Sequence, residues 1–210
     1  MSVLVSIAEL VQKGKAQEVS DLVIQALDEG IGAQQILDEG LLKGMGELGV
    51  KFKNNEVFVP EVLIAARALN KGTETLKAKL VDVDIKPLGT VVLATVEGDL
   101  HDIGKNLVKL MLEGAGFVVI DLGTDVPAAK IVEAVREHKP EVVALSALLT
   151  TTMGAQADAI KALEDSGVRG QVKVIVGGAP ITEAFAKEIG ADGYSEDASG
   201  AAEAAKSFIA

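Results

Sequence analysis

Apolar side chains in the first 80 residues recur at the spacing of amphipathic helices. One stripe follows the i, i+3, i+4, i+7, i+8 pattern and ends at Gly30, a helix stop; it consists of Val19, Leu22, Val23, Ala26 and Leu27. A second apolar face runs from Ile36 to Phe52, and Pro60 suits the first turn of a further helix. With a first helix over residues 1–11, the pattern predicts a small bundle of four helices joined by short loops.

The pattern changes after residues 81–89, a stretch with aspartates and a proline that we interpret as a linker. Four uninterrupted apolar runs follow, typical of parallel strands covered on both faces: Val91–Val96, Phe117–Ile120, Val142–Leu145 and Val174–Val176. Helical patterns lie between and after them, at 103–114, 127–138, 152–165, 181–189 and from Ala198 to Ile209. A short fifth strand is expected near Gly193 and Tyr194.

This alternation predicts an α/β fold in which an N-terminal helical bundle, residues 1–88, precedes a flavodoxin-like domain, residues 89–210. The second domain is predicted to be a doubly wound parallel five-stranded sheet with strand order 2-1-3-4-5. In an open parallel sheet, ligands bind beyond the carboxyl ends of the strands where the strand order reverses. Three polar or glycine-containing segments map to that edge: 97–106, 146–148 and 177–180.

Composition removes several classes of function. The chain has 20 Lys and Arg against 31 Asp and Glu, a net charge of −11, which disfavours a nucleic-acid partner. The absence of cysteine excludes disulfides, iron–sulfur clusters, thiolate zinc sites and cysteine nucleophiles, and leaves His101 and His138 as the imidazoles to consider. The sequence contains no secretory signal pattern and no apolar run approaching the roughly 18 residues of a membrane span. We therefore expect a cytoplasmic protein without a membrane partner.

His101 is the candidate reactive side chain, because it stands between Asp99 and Asp102 in the turn after the first strand. A carboxylate bonded to one ring nitrogen fixes the tautomer and raises the basicity of the other, which suits a general base or a metal ligand. A nucleotide-binding loop lacks support, because neither G-x-G-x-x-G nor G-K-[ST] is present. A Ser-His-Asp hydrolase using Ser146 lacks the G-x-S-x-G elbow. His138 lies at a helix end, where a cation is structural.

The three segments follow one another at defined spacings in the sequence. Asp99-x-His101-x-x-Gly104 is followed after 41 residues by Ser146-x-Leu148, and after 28 more by Gly177-Gly178. This register resembles the cobalamin-binding signature of corrinoid proteins, which bind the cofactor with its benzimidazole base detached and a protein histidine on cobalt. The resemblance extends upstream, because residues 40–49, Phe52, 56–63 and 65–69 are similar to the helical cap module of methionine synthase and of small methyltransferase corrinoid proteins.

The resemblance implies roles for particular residues. His101 would be the lower ligand of cobalt, while Asp99 accepts the proton of its other nitrogen and relays a hydrogen bond to Ser146. The implied cofactor-binding residues are Asp102, Ile103, Gly104, Ser146, Leu148, Thr150, Thr152, Gly177 and Gly178, with Met45, Phe52 and Val59 of the cap covering the upper face. Glycine would allow close approach of the corrin at Gly104 and of the detached nucleotide tail at Gly177-Gly178.

The implied function is that of a methyl-carrying corrinoid subunit in one-carbon metabolism rather than a complete enzyme. It would accept a methyl group on cobalt(I) through a substrate-specific methyltransferase of the methanol, methylamine or aryl-ether type. A second methyltransferase would pass the methyl group to tetrahydrofolate or a thiol, and a reductive activation protein would restore the reduced cofactor. Two alternatives stay open, a cobalamin-binding subunit of an adenosylcobalamin mutase and a cobalamin-dependent sensor. The cap argues against the first, and the lack of a basic DNA-reading segment against the second.

Overall fold

The computed structural model describes residues 2–79 and 86–209. Part of the predicted linker, residues 81–85, lies outside the described residues. The chain divides into two compact units, one comprising Met1–Pro87 with Gly114–Gly116 and the other Leu88–Glu113 with Phe117–Ala210. In the described part of the chain, no helix is both long and apolar enough to cross a membrane.

The first unit is helical, as the apolar stripes predict. Its elements are α1 (Val3–Gln12), α2 (Ala16–Asp28), α3 (Ala33–Gln35), a π-helical segment (Ile36–Leu42), α4 (Lys43–Lys53) and α5 (Val59–Lys79). The short α3, the π-helical segment and α4 follow one another without a break, so the described residues of this unit form four helical rods. The apolar pattern does not predict the π-helical segment.

Helices α1 and α4 approach each other closely at a glycine. A Cβ on Gly44 would lie 2.6 Å from the carbonyl oxygen of Ala8, well inside van der Waals contact. Ile7, next to Ala8 on α1, and Leu41, just before α4, are fully buried. The glycines of 40–49 are therefore explained in part by backbone packing within the helical unit, independently of any ligand.

The second unit is a parallel sheet with helices, as predicted. Its elements are β1 (Thr90–Thr95), α6 (Ile103–Gly114), β2 (Val118–Asp121), α7 (Ala128–His138), β3 (Val142–Ser146), α8 (Met153–Asp165), a short 3₁₀ turn (Arg169–Gln171), β4 (Lys173–Gly177), α9 (Glu183–Glu188), β5 (Gly193–Ser195) and α10 (Ala198–Ser207). The strand order β2-β1-β3-β4-β5 confirms the predicted 2-1-3-4-5 topology. Strand β2 starts one residue later than predicted, because Phe117 donates its N–H to the Leu112 carbonyl oxygen in the turn that follows α6.

The strand register aligns four small residues across the carboxyl edge of the sheet. Thr95 pairs with Ser146, Ser146 with Gly177, and Gly177 with Ser195. Residues paired in a parallel sheet point to the same face, so these four form a row of small side chains. The neighbouring positions Ala94, Leu145 and Val176 point to the other face and belong to the apolar core against α7 and α8. This arrangement leaves room beside the carboxyl edge on the small-residue face.

Candidate functional site

The turn after β1 is held by a second turn, the one after β2. Gly98 has a φ of +80° and donates its N–H to the Asp125 Oδ1 atom at 2.7 Å. Asp125 in turn donates its own N–H to the Asp99 carbonyl oxygen at 2.9 Å. These two bonds give Asp125 a structural role in holding the 98–99 turn. The Asp99 side chain is thereby held in one place.

Asp99 is a fully buried carboxylate whose two oxygens are both occupied. Its Oδ1 atom accepts the His101 N–H at 3.0 Å, and its Oδ2 atom accepts the Leu148 N–H and the Thr152 hydroxyl, each at 2.7 Å. Burial by itself would raise the pKa of Asp99, but the bonds from Leu148, His101 and Thr152 hold that pKa far below its usual range. The carboxylate is therefore ionised at neutral pH.

His101 presents one ring nitrogen to Asp99 and leaves the other outward. Its Nδ1 atom lies 2.7 Å from Asp99 Oδ1, and the side chain is 49% exposed. Because an ionised carboxylate can only accept, Nδ1 is the donor of this bond, and a metal would have to bind Nε2. No described residue donates to or accepts from Nε2, and the Thr95 hydroxyl fixes the same residue by donating to the His101 carbonyl oxygen at 2.9 Å. The imidazole is thus fixed through Nδ1, and Nε2 is the ring nitrogen that could bind a metal.

The predicted hydrogen-bond relay from Asp99 to Ser146 is wrong. The donors to Asp99 Oδ2 are Thr152 and the backbone of Leu148, with a longer contact from Leu149 at 3.4 Å. Ser146 is the last residue of β3 and lies in the row of small side chains, whereas Asp99 reaches over the edge to the loop that follows. Thr152 precedes α8 but does not cap it with its side chain. The resemblance assigns Thr152 to cofactor binding, and the structure shows it buried with its hydroxyl on Asp99.

Four apolar side chains close to His101 in sequence or on the loop bonded to Asp99 are exposed. Leu100 and Ile103 flank His101 in sequence and are 74% and 81% exposed, and Leu148 and Leu149, whose backbones contact Asp99, are each 42% exposed. Aliphatic side chains exposed together are typical of a binding surface. Thr150 is exposed in the same loop, whereas Thr152 is buried. The surface around His101 therefore suits a broad, largely apolar ligand.

Asp102 and Gly104 have different environments at the start of α6. The Asp102 Oδ2 atom accepts from the Asn106 side chain at 3.1 Å, and its carbonyl oxygen accepts the Asn106 N–H at 2.7 Å, so Asp102 organises the first helical turn. A Cβ on Gly104 would have no atom within 4 Å. Nothing in the protein itself demands glycine at this position, so open space for a close ligand is a physical reason for it.

Gly177 and Gly178 are required by the protein's own backbone. A Cβ on Gly178 would lie 1.8 Å from the Ala147 carbonyl oxygen, and its φ of +126° is one that side chains rarely adopt. A Cβ on Gly177 would lie 2.8 Å from the Ser195 carbonyl oxygen. The sequence interpretation assigned both glycines to ligand space, and the structure adds a reason that holds without any ligand.

The remaining predicted residues lie in the helical unit. Met45 and Phe52 are on α4, the first buried and the second half-buried, and Val59 is the exposed first residue of α5. The neighbouring Phe58 is more exposed than Val59, at 62%. Their predicted role at the upper face of a cofactor stays a prediction.

The site offers a single metal ligand on an apolar surface. Among the residues that the structure describes, no three histidine, aspartate or glutamate side chains are grouped so that they could hold a metal ion. His101 Nε2 can bind a metal at one coordination position, and the leucine and isoleucine side chains fit a wide apolar ring around that position. The arrangement fits a corrinoid, in which a macrocycle surrounds the cobalt.

Comparison with protein families gives two matches that together span most of the chain. The profile of a B12 binding domain matches residues 89–203, and a second profile, also described as a B12 binding domain, matches residues 3–77. The first match includes all the residues of the Asp99-to-Gly178 register.

Known proteins similar to this chain include methylamine corrinoid proteins. Dimethylamine corrinoid protein 3 of Methanosarcina acetivorans is 43% identical over 97% of this chain and 95% of its own, and the trimethylamine corrinoid protein of Methanosarcina barkeri is 46% identical over 92% and 89%. Two solved structures are also similar. A chain of the methanol:cobalamin methyltransferase complex MtaBC from Methanosarcina barkeri matches with a TM-score of 0.89 at 32% identity, covering 99% of this chain and 79% of that one. A cobalamin-binding protein from Desulfitobacterium hafniense matches with a TM-score of 0.82 at 33% identity, covering 99% and 98%.

Proposed function

The chain belongs to the B12-binding corrinoid proteins of methyltransferase systems, and from this premise we propose that it carries methyl groups taken from a methylamine. The observation that carries the proposal is the Asp99–His101 pair, which holds Nδ1 and leaves Nε2 of a half-exposed imidazole beside exposed apolar residues. The methylamine donor is supported by the names of the relatives, which are dimethylamine and trimethylamine corrinoid proteins at 43–46% identity.

His101 would hold the cofactor from below through Nε2, with the corrinoid's own base detached. When bound, the corrinoid supplies a cobalt centre that can accept and release a methyl group. Asp99 keeps the proton on Nδ1 and so keeps Nε2 free, while Thr152 and the Leu148 N–H keep Asp99 ionised. The chain would therefore contribute to the chemistry by supplying the imidazole of His101 as a ligand and by fixing its tautomer and its direction.

The other predicted contacts complete the proposal. Leu148 and Ile103 would lie against the macrocycle, and Gly104 would allow its close approach. The nucleotide tail would pass the row of small side chains, where Ser146 offers a hydroxyl and Gly177 no side chain, with Thr150 nearby. Residues 1–88 remain predicted as a cap domain, with Met45, Phe52 and Val59 toward the cofactor.

Three protein partners follow from the proposed cycle. A donor-specific methyltransferase would methylate the bound corrinoid, an acceptor methyltransferase would transfer the methyl group to a thiol or to tetrahydrofolate, and a reductive activation protein would restore the reduced state. We place the protein in the cytoplasm, where these partners and the reduced cofactor occur together.

The donor assignment is tested by methylation assays on the reconstituted chain. The purified protein is loaded with hydroxocobalamin, reduced, and mixed with trimethylamine, dimethylamine, monomethylamine or methanol, each with its own purified methyltransferase. We expect the chain to bind one equivalent of corrinoid. With one of the methylamines, the absorbance of the reduced corrinoid should disappear rapidly. Methylation from methanol alone would contradict the methylamine assignment. Failure to bind corrinoid would contradict the methyl-carrier function itself.

A further inference from the structure

A buried lysine lies behind the loop that carries His101. Lys105, the third residue of α6, is only 2% exposed, although a lysine is almost never fully buried without a partner. Its ammonium uses all three donors: two bonds reach the Asp121 carboxylate at 2.7 and 2.8 Å, and one reaches the Asn106 side-chain oxygen at 2.9 Å. Because Lys105 is buried and its three donors are used within the protein, a direct bond to the cofactor does not explain it.

The bonds of Lys105 continue in one direction to the backbone of His101. The Asp121 Oδ1 atom also accepts the Gly123 N–H at 3.0 Å, and the Gly123 carbonyl accepts the Thr95 N–H at 3.0 Å. The Thr95 hydroxyl then donates to the His101 carbonyl oxygen at 2.9 Å. Lys105 is thus connected to the backbone of His101 through the ends of β2 and β1.

The bonds continue in the other direction to the residue after His101. The Asn106 amide, whose oxygen accepts from Lys105, donates through its nitrogen to Asp102 Oδ2 at 3.1 Å. Residues 101 and 102 are therefore held from two sides by chains of hydrogen bonds that meet at one ammonium group. Asp99 fixes the tautomer and tilt of the imidazole, and this network fixes the backbone from which the imidazole extends.

We infer that Lys105 is a positioning residue for the cobalt ligand, acting on His101 through Asp121 and Asn106. This inference rests on the proposed function, because it assumes that His101 binds a corrinoid metal. A purely structural ion pair would be replaceable by apolar residues of similar size without loss of ligation. A positioning pair would not be, because apolar side chains cannot hold Asn106 and Gly123 in place.

Lys109 provides a matched control on the same helix. Its ammonium also contacts Asp121, at 3.5 Å, and interacts with the Glu113 carboxylate, but the side chain is 34% exposed. Lys109→Met removes a charge next to Asp121 without cutting either chain of bonds to residues 101 and 102.

The test compares Lys105→Met, Lys105→Met/Asp121→Leu and Lys109→Met with the wild type. Each full-length chain is titrated with hydroxocobalamin by absorbance, and each loaded chain is then reduced by one electron. The histidines of every chain are labelled with nitrogen-15, so that the doublet in electron paramagnetic resonance reports the fraction of cobalt with a histidine nitrogen as lower ligand. Urea unfolding of the unloaded chain reports stability.

We expect Lys105→Met to lose about tenfold or more in corrinoid affinity and to show a mixture of ligated and unligated cobalt. The double variant should recover the wild-type urea midpoint but not the affinity or the ligation, and Lys109→Met should match the wild type in both. Complete ligation in Lys105→Met, or recovery of ligation in the double variant, would overturn the inference.

Asn106→Ala keeps the inference testable if the lysine variants do not fold. Asn106 is exposed and uncharged, and its replacement removes the connection from Lys105 to Asp102 while leaving the Lys105–Asp121 pair in place. We expect a smaller loss of histidine ligation at an unchanged urea midpoint, and unchanged ligation would count against positioning. A wild type without a histidine nitrogen on cobalt would contradict the proposed function. A ligated wild type with equally ligated variants would contradict only the inference about Lys105.

Discussion

Replacing His101 with alanine is expected to remove the protein nitrogen from cobalt in the loaded chain. The imidazole is the only side chain that the site directs outward as a nitrogen ligand, and Asp99 behind it cannot substitute, because both of its oxygens are engaged in hydrogen bonds. Loss of a positioning partner typically lowers metal affinity about 10–100-fold, so loss of the ligand should lower hydroxocobalamin affinity at least that far. Absorbance titration measures the affinity, and electron paramagnetic resonance of the one-electron-reduced chain, with its histidines labelled with nitrogen-15, measures the histidine ligation.

His138→Ala is the matched control for this variant. His138 is the other histidine of the chain and ends α7, where its nearest charged contact is the Glu137 side chain at 4.0 Å. Its replacement should leave both the affinity and the lower ligand unchanged. A His101→Ala chain with the wild-type spectrum, or a His138→Ala chain that loses it, would assign the ligand to a different residue.

Replacing Gly178 with alanine is expected to destabilise the unloaded protein severely. The new Cβ would lie 1.8 Å from the Ala147 carbonyl oxygen, at the point where β3 and β4 end side by side, and neither backbone can move without breaking the bond from the Ala147 N–H to Gly177. Steric overlap and a positive φ together should lower the free energy of unfolding by about 2–5 kcal/mol. Urea unfolding of the unloaded chain measures the loss.

Alanine substitutions at two other glycines distinguish the effect of steric overlap from the effect of the positive φ. Gly190 also has a positive φ, of +76°, but a Cβ there would meet no atom within 4 Å, so Gly190→Ala should cost only about 1–2 kcal/mol. Gly154 lies in α8 with open space and an ordinary φ, so alanine there should not destabilise. Equal losses for Gly178→Ala and Gly190→Ala would show that the contact with Ala147 is not the reason for glycine at position 178.

The fold could be predicted because each strand of the sheet is an unbroken apolar run. Runs such as Val142–Leu145 admit few other readings when helical patterns separate them, and the predicted topology is confirmed. Boundaries were less certain where a helix end and a strand start share apolar residues, as at Phe117. The π-helical segment Ile36–Leu42 could not be foreseen, because one extra residue per turn hardly alters the spacing of apolar side chains.

The site was predictable in its residue types and less so in its bonds. The spacing of Asp99 and His101 predicts their contact, because the two side chains belong to one tight turn. Which hydroxyl reaches Asp99 depends on the path of the loop after β3, and the sequence alone favoured Ser146 over Thr152. Lys105 was missed for a related reason, since a lysine at the start of a helix is expected to be solvated, and only the position of Asp121 at the end of β2 shows that it is buried.

The central claim is that an imidazole nitrogen of this chain is the lower ligand of a corrinoid whose own base is detached. The most direct test labels the histidines of the protein with nitrogen-15, loads the chain with unlabelled hydroxocobalamin and reduces it by one electron. Coupling of the unpaired electron to a protein nitrogen then gives a doublet splitting in the electron paramagnetic resonance spectrum, whereas the cofactor's own nitrogen-14 base gives a triplet. The account predicts the doublet, and an unchanged triplet in the labelled protein would contradict it.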